Sequence, residues 1–253
     1  MFFLFYFLLG LVQGLTEFLP VSSSGHLVLL NKLFGIEQNF VFLSVFLHIA
    51  TLLAVVFVLR KEIWLLIKNP FSKPAILLVV ATIPTVVIVL LFKSFFETSF
   101  SGKWLPICFA ITATALLFTS IFSKQYPNKK MSYKSAILMG LSQGIAILPG
   151  ISRSGATICT GLVCGEDKQQ TTHFSFLMSI PIIICSLLYE VYQGVSQGAP
   201  LLSGNILFVL MAFVVAFVSG IFAIKYMLKI VQKGKYYYFS IYLYCLAFFC
   251  LFV

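Results

Sequence analysis

Apolar positions along this chain fall into runs of two kinds. Unbroken runs lie at about 40–59, 75–92, 105–122, 171–189, 205–224 and 237–253. Each is about the length of helix that crosses the roughly 30 Å of hydrocarbon in a bilayer. Two further runs, 2–34 and 135–165, are interrupted by proline and a serine-rich stretch. In the first, the pattern predicts a helix over 2–15, halted at Pro20 because proline lacks an N–H and disfavours helix in the residue before it. A second helix is expected from about His26 to Leu33. Neither arm is long enough to span, so both interrupted runs read as re-entrant helix-loop-helix pairs that enter and leave on one side. No run alternates as a barrel strand would. The expected fold class is all-α: a polytopic membrane protein with six transmembrane crossings plus two re-entrant pairs.

The two interruptions are versions of one another. Gln13 to His26 reads QGLTEFLPVSSSGH and Gln143 to Ala156 reads QGIAILPGISRSGA, so Ser22-Ser23-Ser24-Gly25 aligns with Ser152-Arg153-Ser154-Gly155. The chain is therefore expected to be one integral membrane domain made of two repeats, 1–125 and 130–253. Each repeat holds one re-entrant pair and three crossings. An odd number of crossings inverts the second repeat relative to the first, so the two breaks converge from opposite faces.

Charge supports this layout. With the 60–74 loop cytoplasmic, that side collects Arg60, Lys61, Lys68, Lys73, Lys124, Lys129, Lys130, Lys134, Lys168, Lys225, Lys229, Lys233 and Lys235. Only Lys32, Lys93 and Lys103 fall outside, with Arg153 in the membrane, an asymmetry of the positive-inside kind. Trp64, Trp104 and Tyr236 to Tyr238 sit beside lysines at run ends, as an interfacial aromatic belt would. A formal charge of +10 placed in short loops answers to membrane topology and not to nucleic acid. At 60% hydrophobic and 9% charged residues, the chain is far from the roughly 25% charged of a soluble domain. Its mean hydropathy is +1.05. The N-terminal run has no basic leader or small-residue cleavage site and is expected to belong to the mature fold. The six cysteines lack metal or disulfide spacing and are expected to be small buried hydrophobes.

Ionisable groups within lipid are costly and mark function. Ser22, Ser23, Ser24 and Gly25 offer hydroxyls and backbone N–H groups ahead of a helix; Ser152, Ser154 and Gly155 do the same from the other side, and Arg153 adds a forked donor suited to phosphate oxygens. Together they describe an anion cradle, although Ser and Gly also serve close helix packing. Gln13 and Glu17, four apart, share a helix face one turn from the serines. Glu17 is a candidate cation ligand, general base, or partner that neutralises Arg153. His26 at a helix start is a candidate proton-handling group for Ser23 or a water. Thr157 and Gln143 are expected to line the site. His48 and His173, with no carboxylate beside them in sequence, read as supporting or interfacial residues.

These two stretches, QGLTEFLPVSSSGHLVL and LPGISRSGATI, resemble the undecaprenyl-diphosphatase family of bacitracin-resistance membrane phosphatases, and the spacing of apolar runs agrees from end to end. The resemblance implies hydrolysis of undecaprenyl diphosphate to the monophosphate, which recycles the lipid carrier of cell-wall synthesis. It also implies a bacterial cytoplasmic (inner) membrane location, an active site open to the outer or periplasmic face, and a divalent cation, Mg2+ or Ca2+. The partners implied are a polyprenyl diphosphate and membrane lipids, with no nucleic acid; association into an oligomer is left open. Carried over by position, the acidic motif falls on Gln13 and Glu17, the serine-histidine motif on Ser22, Ser23, Ser24 and His26, and the arginine motif on Ser152, Arg153 and Ser154. The first acidic position, Glu in some members, is Gln13 here, which leaves Glu17 as the acid and the candidate metal ligand. A likeness to type-2 phosphatidic acid phosphatases is discounted because their further downstream histidine with its aspartate partner is lacking. Either Ser23 attacks the phosphorus or His26 activates a water, with the reading leaning to Ser23. The competing class is a transporter or flippase of a polyprenyl phosphate that uses the same inverted-repeat anion site.

Overall fold

A computed structural model describes residues 2–34, 40–122, 129–196 and 205–253. Twelve helices are named in it. In the first half α1 (Phe2–Phe18), α2 (Ser23–Phe34), α3 (Phe40–Val58), α4 (Arg60–Lys68), α5 (Lys73–Leu91), α6 (Lys93–Ser99) and α7 (Leu105–Phe122) follow in order. The second half holds α8 (Tyr133–Ile145), α9 (Arg153–Val163), α10 (Lys168–Ser196), α11 (Ile206–Lys233) and α12 (Tyr237–Phe249). Among the described residues there is no strand, only a single bridge between Lys129 and Glu166. Helices α5, α7, α10 and α11 are each long and apolar enough to cross a membrane. Large apolar side chains cover the outside of the bundle, with Val79, Leu90, Leu188 and Phe222 all well exposed. A soluble monomer rarely shows a continuous apolar surface of that kind; lipid is its natural solvent. The protein is an all-α, polytopic membrane protein.

The interrupted runs are helix pairs whose arms hold 17, 12, 13 and 11 residues. At 1.5 Å per residue those arms extend about 16 to 26 Å, short of the bilayer. The first arm of each pair packs on a helix of the opposite half. Helix α1 runs along α11, and α8 runs along α5. Both contacts use glycines four apart. A Cβ on Gly10 would sit 2.3 Å from the Ala212 carbonyl oxygen, and one on Gly14 2.4 Å from that of Ala216. A Cβ on Gly140 would sit 2.1 Å from the Ala81 oxygen, and one on Gly144 2.8 Å from Ile88. These are small-residue crossings in which backbone meets backbone. Residue numbers rise together in each pair, so α1 is parallel to α11 and α8 to α5. Helices α7 and α12 run antiparallel: Thr119 meets Tyr236, and Thr114 meets Tyr244. The corresponding helices α7 and α12 of the two halves therefore point in opposite directions.

Several boundaries differ from those the pattern predicts. Helix α2 begins at Ser23 and not near His26, because the Ser22 hydroxyl accepts the Gly25 N–H and caps the helix. Ser23 and Ser24 consequently lie in its first turn. Helix α11 continues past 224 to Lys233, so Lys225 and Lys229 are helical, and it ends on Gly234 at φ +66. The 60–74 loop contains α4. Tyr236 does not join an interfacial belt: it is buried, its hydroxyl donating to the Thr119 carbonyl at 3.3 Å, whereas Trp64 and Trp104 are exposed. All six cysteines are free, but only Cys108 and Cys159 are buried; Cys185 and Cys245 are exposed on the apolar outside. Lys124 lies outside the described residues.

The core around the two breaks is aromatic and aliphatic, with Phe18, Phe109 and Phe176 fully buried. The foot of the second helix pair is clamped. Lys129 N–H donates to the Gly165 carbonyl and Asp167 N–H returns to that of Lys129. The buried Glu166 carboxylate takes Ser132 N–H at 3.1 Å and the hydroxyls of Ser132 and Ser135, holding negative charge at the start of α8.

Candidate active site

The two breaks meet loop to loop. Gly150 N–H donates to the Ser22 hydroxyl at 3.1 Å, and the Ser154 hydroxyl donates to the Leu19 carbonyl at 3.0 Å. Each pair is capped alike: Ser152 accepts from Gly155 N–H as Ser22 does from Gly25 N–H. At the two turns, Ser22 at φ +68 and Gly150 at φ +96 have backbone in the left-handed region. For glycine this carries no penalty, but for serine it stores about 1–2 kcal/mol of strain, which the surrounding hydrogen bonds must hold. From α7, Thr112 donates to the Gly150 carbonyl at 3.1 Å and accepts Ser152 N–H at 3.1 Å, fixing the turn from which Arg153 projects.

Glu17 is the hub. Its Oε1 takes Arg153 Nη2 at 2.5 Å; its Oε2 takes the Ser23 hydroxyl at 2.6 Å and Gln13 Nε2 at 3.1 Å. His48 Nε2 lies 3.9 Å from the same Oε2. The carboxylate is 5% exposed and the arginine 16%. An unpaired charge this deep would cost several kcal/mol; the pairing removes most of that cost while leaving the guanidinium edge open. The groups line a pocket of about 150 Å3 together with Ser22, Ser24 and Ser152, bounded on α10 by Ile182, Ile183 and Ser186. A phosphate-sized anion with a few waters fills such a space, so a long apolar tail must lie outside it.

Of the residues singled out in the sequence, the structure brings together Glu17, Ser22, Ser23, Ser24, Ser152 and Arg153, with Gln13 beside them. Others stand behind the wall. Ser154 holds Leu19, and Thr157 is buried between α9 and α10 on the Ser175 hydroxyl at 2.6 Å. Gln143 donates to Thr85 on α5 at 3.2 Å. Gly25 and Gly155 allow close approach: a Cβ on Gly25 would sit 2.8 Å from Gly150 N, and one on Gly155 3.3 Å from Pro20. His26 is turned away from the pocket. Its Nδ1 meets the Ser22 carbonyl at 2.7 Å and its Nε2 the Tyr242 hydroxyl at 2.6 Å, with the two rings stacked. It thus holds the strained Ser22 turn from behind. His48, read as supporting from sequence, lines the pocket because α3 lies along α1 in space; Glu17 is thirty-one positions away in sequence. His173 has a carboxylate partner of its own, Glu62 at 3.5 Å, at a different place in the fold.

The Glu17 carboxylate is a hard oxygen donor of the kind that suits Mg2+ or Ca2+. The Gln13 amide faces it with Nε2, and its Oε1 is buried with no hydrogen-bond partner. Among the described residues no cluster of three or more His, Cys, Asp or Glu forms a cage, so any such ion must take its other ligands from water and substrate.

The chain matches the model of the family described as bacitracin resistance protein BacA over residues 6–249. It is 43% identical over 242 residues to the undecaprenyl-diphosphatase of Carboxydothermus hydrogenoformans, covering 95% of this chain and 93% of that protein. It is 41% identical over 247 residues to the undecaprenyl-diphosphatase of Bacteroides fragilis, covering 93% and 92%. With the same enzyme of Alkaliphilus metalliredigens the identity is 42% over 258 residues, again covering 93% and 92%.

Proposed function

The chain belongs to the bacitracin resistance protein BacA family, and from that membership and the geometry around Glu17 we infer what it does and how. It is a membrane undecaprenyl-diphosphatase: it removes the terminal phosphate of undecaprenyl diphosphate, returns the monophosphate carrier to cell-wall synthesis and confers bacitracin resistance. We place it in the bacterial cytoplasmic membrane, with the pocket open to the outer face and the polyprenyl tail in lipid.

The observation that carries the chemistry is the chain of contacts Ser23–Glu17–Arg153. Ser23 Oγ attacks the terminal phosphorus as its proton passes to Glu17 Oε2, the oxygen it already faces at 2.6 Å. The bond from that phosphorus to the bridging oxygen breaks, and undecaprenyl phosphate leaves with the electron pair. Water then opens the phosphoserine: the proton held on Glu17 returns to the departing Ser23 oxygen, Glu17 takes a proton from the attacking water, and that last proton leaves with the inorganic phosphate, which restores the carboxylate. Arg153 uses one of its five N–H donors on Glu17, and the remaining donors serve the equatorial phosphate oxygens where charge builds. A divalent cation, held by Glu17, would neutralise the diphosphate and act as a Lewis acid when bound. A pure anion carrier would gain nothing from a carboxylate aimed at a hydroxyl in the same pocket, which favours hydrolysis over transport.

Purified protein in detergent is expected to release phosphate from undecaprenyl diphosphate, and Ser23→Ala is expected to lose that activity. Full activity in Ser23→Ala would overturn the phosphoserine route; a folded wild-type protein releasing no phosphate would overturn the hydrolase reading itself.

A further inference from the structure

We propose that His48, from α3 and outside both interrupted helix pairs, is a catalytic residue that contacts the transferring phosphoryl group. This rests on the hydrolase reading above and adds to it a residue from a third element. The pocket needs a donor facing Ser23, and His26 does not supply it, since both its ring nitrogens are engaged behind the Ser22 turn. His48 lines the pocket and is 26% exposed to it. Its Nε2 lies 3.9 Å from Glu17 Oε2, and Ser23 Oγ lies 2.6 Å from that same oxygen. The histidine nitrogen and the nucleophile are therefore no more than about 6.5 Å apart. A phosphoryl group spans that gap, with its phosphorus about 3 Å from the attacking oxygen and an equatorial oxygen about 3 Å from a donor.

The two halves of the chain support the assignment independently. Leu47-His48 on α3 corresponds to Leu177-Met178 on α10, where Met178 is fully buried in apolar surroundings. An imidazole replaces a thioether only in the half that carries the carboxylate and the nucleophile, at a depth where polar groups are costly. The ionisable groups facing His48 across the pocket are Glu17 from α1 and Arg153 from α9; α10 presents Ile182, Ile183 and Ser186. Through Nε2–H, His48 would hold the phosphoryl group against Ser23 while Arg153 holds its other oxygens.

The test uses the full-length protein in detergent with inorganic pyrophosphate as probe. His48→Met, which installs the second half's own residue, is expected to weaken pyrophosphate binding about tenfold, the order of one hydrogen bond to a charged group. His48→Gln, which restores an N–H donor, is expected to stay within about threefold of wild type. In wild-type protein with 15N-labelled histidine, the His48 ring signal, assigned by its loss in His48→Gln, is expected to move on adding pyrophosphate; this readout does not depend on whether His48→Met folds. A His48 signal that stays still, or His48→Met protein that binds as wild type does, overturns the assignment. Hydrolysis by wild type alongside an unmoved His48 signal sinks His48 alone. Pyrophosphate binding that moves the His48 signal, in a protein that releases no phosphate from undecaprenyl diphosphate, sinks the hydrolase reading and leaves the contact standing.

Discussion

The two interrupted helix pairs share a frame and divide the chemistry. Each lays a glycine-spaced arm on a long helix of the opposite half, each caps its second arm with a serine, and the two touch at their turns. Two positions that face the pocket differ between the pairs. Glu17 in the first corresponds to Ile147 in the second, and Ser23 corresponds to Arg153. Gln13 serves Glu17, whereas Gln143 serves Thr85 on a neighbouring helix. A symmetric frame thus carries an asymmetric site, with a carboxylate and a hydroxyl from one side and a guanidinium from the other. The two pairs share the geometry, and a few positions give each a separate task.

The sharpest way to break this division is to remove one member of the pair. Glu17→Ala or Arg153→Ala is expected to lower phosphate release by about 10³-fold or more, and each leaves a buried charge without its partner at a cost of about 3–5 kcal/mol. The double variant is expected to be as inactive but to melt higher than the less stable single variant. Thermal unfolding in detergent checks it; additive losses would show that the two charges do not compensate one another.

Next in size are the arms. Gly10→Leu and Gly140→Leu both force a side chain against a carbonyl of the facing helix and are expected to destabilise by about 3 kcal/mol or to prevent folding. Similar losses would confirm equivalent scaffolding, while tolerance at one site only would make that arm the looser of the two. A gentler change moves the acid into the second copy: Ile147→Glu adds a negative charge to the pocket and is expected to raise KM for the diphosphate about tenfold with less effect on melting. The smallest effects separate the caps. Ser152→Ala is expected to cost about 1 kcal/mol. Ser22→Ala, which also strands the Gly150 N–H, is expected to cost about 2 kcal/mol. Ser22→Gly regains part of that through relief of its positive φ. Equal melting losses for the two alanine variants would remove the distinction drawn between the caps.

Much of this frame was legible in the sequence because the signals are local. Apolar run length marks the crossings, proline and serine mark the breaks, and the aligned QG and SxSG segments mark the repeat. Glu17 and Arg153 were legible because ionisable groups in apolar runs are rare, and Ser23 because it sits in the serine-rich break. What escaped was set by contacts across the chain. His26 looks like a pocket residue from its neighbours Ser23 and Ser24, but Tyr242, on the last helix, claims its second nitrogen. His48 has no carboxylate nearby in sequence and acquires one only when α3 lies against α1. Tyr236 shares its surroundings in sequence with surface tyrosines and is buried because α12 folds back antiparallel on α7. The glycine pairs were readable in principle, since GLVQG and GLSQG carry the spacing of close helix crossings, but their partners Ala212 and Ala81 have no such mark.

The exchange of arms between halves also sets a timetable for synthesis. Gly10 and the Ala212 backbone it rests on are separated by about two hundred residues, which at 5–20 residues per second is a wait of about 10–40 s. The opening helix must pass that interval with its glycine face uncovered, beside lipid or a provisional neighbour. Its counterpart α8 meets a finished partner in α5 as soon as it emerges. Assembly is therefore expected to proceed from the second pair to the first, so the Glu17 carboxylate is locked in place only after α11 has entered the bilayer.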